Sequence, residues 1–263
     1  MKLSQEDQRK LTDAANILAY PSFTSKITQS ATQTIEKTAR LLPEQLTKSL
    51  IRLSRTALEK SLESALLTMQ PQNHLKPRKK THQFFACISG AAGGAFGLPA
   101  LAVELPVSTT IMLRSIAEIA RNQGEDINNP ETKLACLEVF ALSHHAISEN
   151  NAETGYYAIR SLLAKSISDA ASRLTAQELS KQSSPALVKL LKTIATRFSI
   201  TVSEKMAAQS IPAIGAIGGA SINLLFIRYF QEIAEAHFAV RSLEKKYTTE
   251  HIKKLFEQEV NRL

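Results

Sequence analysis

Apolar positions recur at three- and four-residue spacing along most of the chain. Leu46, Leu50, Leu53 and Ala57 mark one helix face, which Leu62, Ala65, Leu66 and Met69 continue. Phe23, Ile27, Ala31, Ile35 and Ala39 follow the same period one helix earlier, and Ile252, Leu255, Phe256, Val260 and Leu263 form the last apolar face. Strand-like alternation closed by Asn-Gly or Asp-Gly turns is missing. Helix boundaries are legible too. Asn129-Pro130-Glu131 supplies a cap, a first-turn proline and an acid for a helix running to about Ile147. Pro43 and Pro185 open further helices, and Gly124 suits the stop of a helix begun near Pro106. The pattern predicts an all-α multi-helix bundle.

The stretch PQNHLKPRKK, residues 71–80, reads as a linker. It divides an N-terminal set of about three amphipathic helices, residues 1–75, from a helical domain over 76–263. Amphipathic helices need a partner for their apolar stripe, so the two parts are expected to form one contiguous structure.

Seven of the nine glycines fall in two places: Gly90, Gly93, Gly94 and Gly97, then Gly215, Gly218 and Gly219. Each group sits in a long run without charge. From Thr81 to Leu113 the single Asp, Glu, Lys or Arg is Glu104, and from Met206 to Ile227 there is none. Glycine in a helix interior costs about 1 kcal/mol relative to alanine. The spacing of Gly90 and Gly94, Gly93 and Gly97, and Gly215 and Gly219 offers close helix approach as compensation. One reading makes the two runs membrane-inserting segments, since about 20 apolar residues match the hydrocarbon thickness. The other makes them two central helices of a bundle, packed on each other inside a shell of amphipathic helices. Pro99, Pro212, Gln209 and Asn223, with many weakly hydrophobic Gly and Ala residues, favour the second.

Glu104 is an acid between Val103 and Leu105 after 23 uncharged residues, a costly placement unless it is paired or caps a helix. Capping the helix expected from Pro106 is one reading. A buried polar site is the other, with Arg114 and Asn223 as candidate members.

The chain has 263 residues, 44% hydrophobic and 21% charged, enough to bury a sizeable core. Trp is absent, and Cys87 and Cys136 lie in apolar surroundings without metal-ligand spacing, which fits a reduced interior. The opening MKLSQEDQRKL lacks the apolar run of a secretory signal. Charge is uneven: residues 1–80 hold 14 Lys and Arg against 7 acids, while residues 81–263 hold 18 against 17. The basic excess ends in Lys76, Arg78, Lys79 and Lys80, candidate contacts for an anionic surface or simply a solvated face.

Reaction signatures fail one after another. GAAGGAFG lacks the Lys-Ser/Thr of a phosphate loop, no GxSxG elbow surrounds Ser89 or Ser221, and HExxH is absent. His145 and Glu149 lie one helical turn apart beside His144, yet no third metal ligand is evident. Tyr156, Tyr157 and Arg160 could form a polar contact or a cation–π pair, with ordinary packing the favoured reading. No nucleic-acid module accompanies the basic run. No metal, cofactor or nucleic acid is expected.

The succession GAAGGAFGLPALAVELP, LRSIAEIARNQGED, NPETKLACLEVF, ETGYYAIRSLLA, IPAIGAIGGASINLLF and FAVRSLEKKY resembles the EcsC family of bacterial proteins, over about residues 80–247. Family-like positions are Gly93, Gly94, Gly97, Pro99, Glu104, Pro106, Arg114, Glu118, Tyr156, Pro212, Gly215, Gly219 and Asn223. The family commonly has Asp where this chain has Glu104. The first 75 residues match no motif of the family. The family is named for a protein encoded beside an ABC transporter, so the resemblance implies membrane-linked work, and it brings no catalytic residue. The leading expectation is a non-enzymatic helical protein, cytoplasmic and peripheral at the inner membrane, acting on anionic lipid or a membrane protein. Two alternatives stand beside it: an enzyme or small-ligand-binding protein built around Glu104, Arg114 and Asn223, and a soluble protein-interaction module. Oligomeric state is left open.

Overall fold

A computed structural model describes residues 2–27, 31–68, 97–144, 155–172, 184–211 and 219–263. Among the described residues there are ten helices and no strand, the all-α class that the apolar spacing dictates. They are α1 (Gln5–Ala19), α2 (Phe23–Ile27), α3 (Thr32–Arg40), α4 (Glu44–Thr68), α5 (Gly97–Asn122), α6 (Pro130–Ala141), α7 (Gly155–Ala171), α8 (Pro185–Ser210), α9 (Gly219–Tyr247) and α10 (Thr249–Val260).

The period that runs from Phe23 to Ala39 is divided between α2 and α3, so four helices rather than three precede residue 69. Pro43 opens α4, its carbonyl accepting from the amides of Leu46 and Thr47. Asn129 caps α6 by accepting from the Glu131 amide at 2.8 Å, with Pro130 in the first turn. Gly124 ends α5 in the left-handed region at φ 85°. The amide of Glu125 returns to the carbonyl of Ala120 and that of Gly124 to Arg121, the double bond of a Schellman stop.

Two boundaries differ from the expected ones. The helix expected to begin near Pro106 begins at Gly97, with Pro106 inside it. Proline removes one amide donor and crowds the carbonyl four residues back. Here that carbonyl belongs to Ala102 on an exposed face, where water can take it. The helix from Pro130 stops at Ala141 instead of running to about Ile147, because side chains take over its last carbonyls. Arg197 donates to the carbonyls of Ala141 (3.0 Å) and His144 (2.8 Å), and the Tyr229 hydroxyl donates to that of Ser143. Leu263, counted on the last apolar face, is exposed, whereas Ile252 and Phe256 of α10 are buried.

Helix α9 is the centre. It contacts α1, α2, α5, α6, α8 and α10, and only Arg228, Lys245 and Lys246 along it are well exposed. A helix buried on nearly every side belongs to the core. Phe226 and Phe230 of α9 pack edge-on or tilted with Phe23, Phe198 and Phe140 at centroid distances of 4.9–6.2 Å through the group. Helix α8 packs against α2, α3, α4, α6, α7 and α9.

The N-terminal helices lie directly on this frame. Helix α4 packs along α5 and α8, and α1 lies on α9 and α10. Asp7 of α1 accepts from Lys246 Nζ (2.6 Å) and the Tyr247 hydroxyl (2.7 Å), while Thr12 donates to Glu259 at 2.8 Å. Helices α5 and α9, which follow the two glycine-rich runs, pack on each other. Gly97 and Gly219 are the first residues of these helices. Gly90, Gly93, Gly94, Gly215 and Gly218 lie outside the described residues, as do Pro212, the basic run Lys76, Arg78, Lys79 and Lys80, Cys87, His145 and Glu149.

Candidate functional site

Three helices meet around one buried ammonium group. Lys205, near the end of α8, donates to Glu104 Oε1 at 2.6 Å and to Asn223 Oδ1 at 2.8 Å. Glu104 comes from the second turn of α5 and Asn223 from the second turn of α9. The side chains of Lys205 and Glu104 are 0% and 4% exposed. The face of the Phe226 ring, with its centroid 4.8 Å from Nζ, covers the ammonium from another side. Burial pulls the Lys205 pKa below its ordinary value, and the neighbouring Glu104 charge works in the opposite direction.

Helix phase explains why Lys205 points inward. Leu187, Leu191, Ile194, Phe198, Val202 and Lys205 recur every three or four residues on the buried stripe of α8. Glu104 is likewise one turn from Leu101 and beside Leu105, both buried. It is therefore a mid-helix acid held by a cation, and it caps no helix at Pro106.

Of the three residues singled out in the sequence, the structure joins Glu104 and Asn223 through Lys205. Arg114 stands ten residues farther along α5, about 15 Å by helical rise, and its guanidinium lies 3.5 Å from the Ser64 hydroxyl of α4. Lys205 was missed because Glu204-Lys205 reads as a solvated charge pair at the edge of an uncharged run. The signal that would have found it is its phase with the apolar residues of α8. Chemically the cluster is self-contained: the two donated protons meet two acceptors and an aromatic ring shields the rest. It is built to hold three helix segments in register.

A second polar network joins α6, α7 and α9. The Arg160 guanidinium forks onto Glu244 at 2.6 and 2.9 Å, the Tyr157 hydroxyl donates to the same carboxylate at 3.0 Å, and Arg160 lies over both the Tyr156 and Tyr157 rings. The sequence favoured ordinary packing for these residues, and the polar contact and the cation–π pairs that it left as the alternative are present. The Tyr156 hydroxyl is 3.0 Å from His237 Nδ1. His237 Nε2 faces Glu138 Oε2 at 3.7 Å, too long for a hydrogen bond. Burial raises the Glu138 pKa to about 7 and keeps that of His237 well below the usual imidazole value. Glu125 accepts from Arg241 and Lys245, each at 2.9 Å, which outweighs the burial that opposes its ionisation.

Another buried acid, Glu204, precedes Lys205 on α8, about 100° around the helix from it. Burial, reinforced by the Glu36 charge, raises its pKa to about 8. His144 Nδ1 stands 3.6 Å from it. Cys136 is buried with its thiol pKa pushed up to about 12, a packing residue rather than a nucleophile. Among the described residues no group of three or more His, Cys, Asp or Glu side chains is arranged to hold a metal ion.

A family model described as the EcsC protein family matches residues 2–243. The chain belongs to that family. The match reaches through the first 75 residues, which carried no recognisable motif, so α1–α4 are part of the EcsC unit. Neither a curated protein nor a solved structure matches the chain. Among the described residues, no helix of this EcsC protein is long and apolar enough to cross a membrane.

Proposed function

We propose that this EcsC protein is a non-enzymatic helical protein that works at the cytoplasmic face of the inner membrane, held there peripherally by anionic lipid or by a membrane-protein partner. The observation that carries this reading is the placement of charge. The first 80 residues have a net charge of +7, the basic run at 76–80 ends them, and an uncharged stretch interrupted only by Glu104 follows at once. Cations beside an apolar run match a surface that is anionic outside and hydrocarbon within. Val103 and Val107, one turn apart on α5 within that stretch, are exposed and add apolar area. The saturated bonding of Lys205 gives the buried cluster a structural part and favours this reading over an active centre at Glu104.

Vesicle flotation tests the proposal. The chain is expected to float with vesicles containing phosphatidylglycerol at low salt and to float far less with pure phosphatidylcholine. Sedimentation away from both vesicle types, at low salt and without detergent, would remove the lipid arm. Failure of detergent-solubilised membrane proteins to retain the chain as well would remove the reading altogether.

A further inference from the structure

The corner between α3 and α4 presents one exposed leucine amid basic side chains. Leu41 ends α3 and is 72% exposed, while its neighbour Leu42 packs against the core. Lys37 and Arg40, in the last turn of α3, and Lys48 and Arg52, in the first turns of α4, are all exposed. Among the described residues neither Lys37 nor Arg40 has a carboxylate within ion-pair distance. Lys48 shares its charge with Glu44, the one exposed acid between residues 37 and 52. Chain connectivity keeps these five residues near the corner, because each lies within about three helical turns of Leu41, and Lys48 and Arg52, four residues apart, share one face of α4.

We infer that this corner is a lipid-contacting surface of the protein, with Leu41 entering the acyl boundary of an anionic bilayer and Lys37, Arg40, Lys48 and Arg52 meeting its headgroups. The inference rests on the membrane reading above and adds a contact surface to it. Long basic side chains lay their stems along apolar surface and keep their charge at headgroup level, so they surround an inserted leucine without desolvation. A nucleic-acid backbone would use the cations and leave Leu41 without a role. The packing of α3 and α4 on α8 fixes both helices, so the surface needs no folding step before it meets a membrane.

The test uses the full chain and vesicles of phosphatidylglycerol and phosphatidylcholine at low salt. Wild type is compared with Leu41→Asp, with the triple variant Lys37→Glu, Arg40→Glu, Arg52→Glu, and with a control of equal charge change, Lys189→Glu, Lys192→Glu, Lys254→Glu. All of these positions are exposed, so circular dichroism and thermal melting should be unchanged. Partitioning should weaken at least tenfold for the corner triple and severalfold for Leu41→Asp, with under threefold change for the control. Equal weakening in both triples would reduce the effect to net charge and overturn the assignment. Undiminished binding of both corner variants would overturn it too while leaving the membrane reading intact. No binding by wild type would instead defeat the membrane reading itself.

Discussion

Lys205 Nζ lies 2.6 Å from Glu104 Oε1, and the two residues stand 101 positions apart in the chain. The pair is buried, so its charges depend on each other in place of water. Removing one partner strands the other, which costs about 3–5 kcal/mol, whereas replacing both by apolar residues of similar volume is near neutral or stabilising. Glu104→Ala is therefore expected to lower stability by about 3–5 kcal/mol in urea unfolding. The double variant Glu104→Leu, Lys205→Met should recover most of that loss. A double variant as unstable as the single one would show that the charges themselves are required.

Glu138 and Glu204 make stability depend on pH in an unusual direction. Their folded pKa values, about 7 and about 8, lie above the ordinary 4.5, so the folded state holds protons that the unfolded chain has released. Stability contributed by these protons is complete below pH 4.5 and is lost as pH rises to about 8, by at most roughly 3 kcal/mol for Glu138 and roughly 5 kcal/mol for Glu204. Asp7 acts oppositely. Bonds from Lys246, Tyr247 and Ser4 hold its pKa well below the ordinary value, so its contribution is present above pH 3.8 and disappears in stronger acid. The melting temperature should accordingly peak near pH 5 and fall toward pH 8. Glu138→Gln and Glu204→Gln should each flatten the alkaline side, as calorimetry across this range would register.

The fork of Arg160 on Glu244 requires a planar guanidinium. Arg160→Lys keeps the charge and loses both the paired geometry and the stacking on Tyr156 and Tyr157, so a loss of about 1–2 kcal/mol is expected. Glu244→Ala, which leaves Arg160 buried without its carboxylate, should cost more than Arg160→Lys. A double-mutant cycle with Tyr157→Phe should reveal coupling, because both side chains donate to the same carboxylate.

Gly124 has no atom within 4 Å of where a Cβ would stand, so a larger residue meets no steric obstacle there. Its φ of 85° is the whole constraint. Gly124→Ala should destabilise by about 1 kcal/mol and Gly124→Asn by less, since asparagine tolerates the left-handed region. Equal effects of the two in denaturant unfolding would contradict this account.

The fold class was legible because amphipathic spacing is a local property, and so were the ends of helices fixed by Asn129, Pro130 and Gly124. What failed depended on partners distant in sequence. The end of α6 is set by Arg197 and Tyr229, 53 or more positions away, and no local pattern announces them. Pro106 reads as a helix start, yet the exposed face of α5 absorbs it inside a helix. The cost of burying Glu104 and its separation from solvent charge were readable, which drew attention to the residue. Its partner was not, since a lysine next to a glutamate looks solvated until the phase of α8 is followed. Arg114 was the nearer cation along the chain, but helical rise carries it away from Glu104.

The bonds from Asp7 to Lys246 and Tyr247, and from Thr12 to Glu259, also order events during synthesis. Helix α1 emerges from the ribosome with its buried stripe of Leu11, Ala14, Ala15 and Leu18 and without the surface that covers it, since that surface is made by α9 and α10, which are translated long after it. Until α9 and α10 emerge, this segment has no native place to dock. Such long-range closure slows folding and leaves apolar surface open in the nascent chain, so the growing polypeptide is a natural client for holding chaperones.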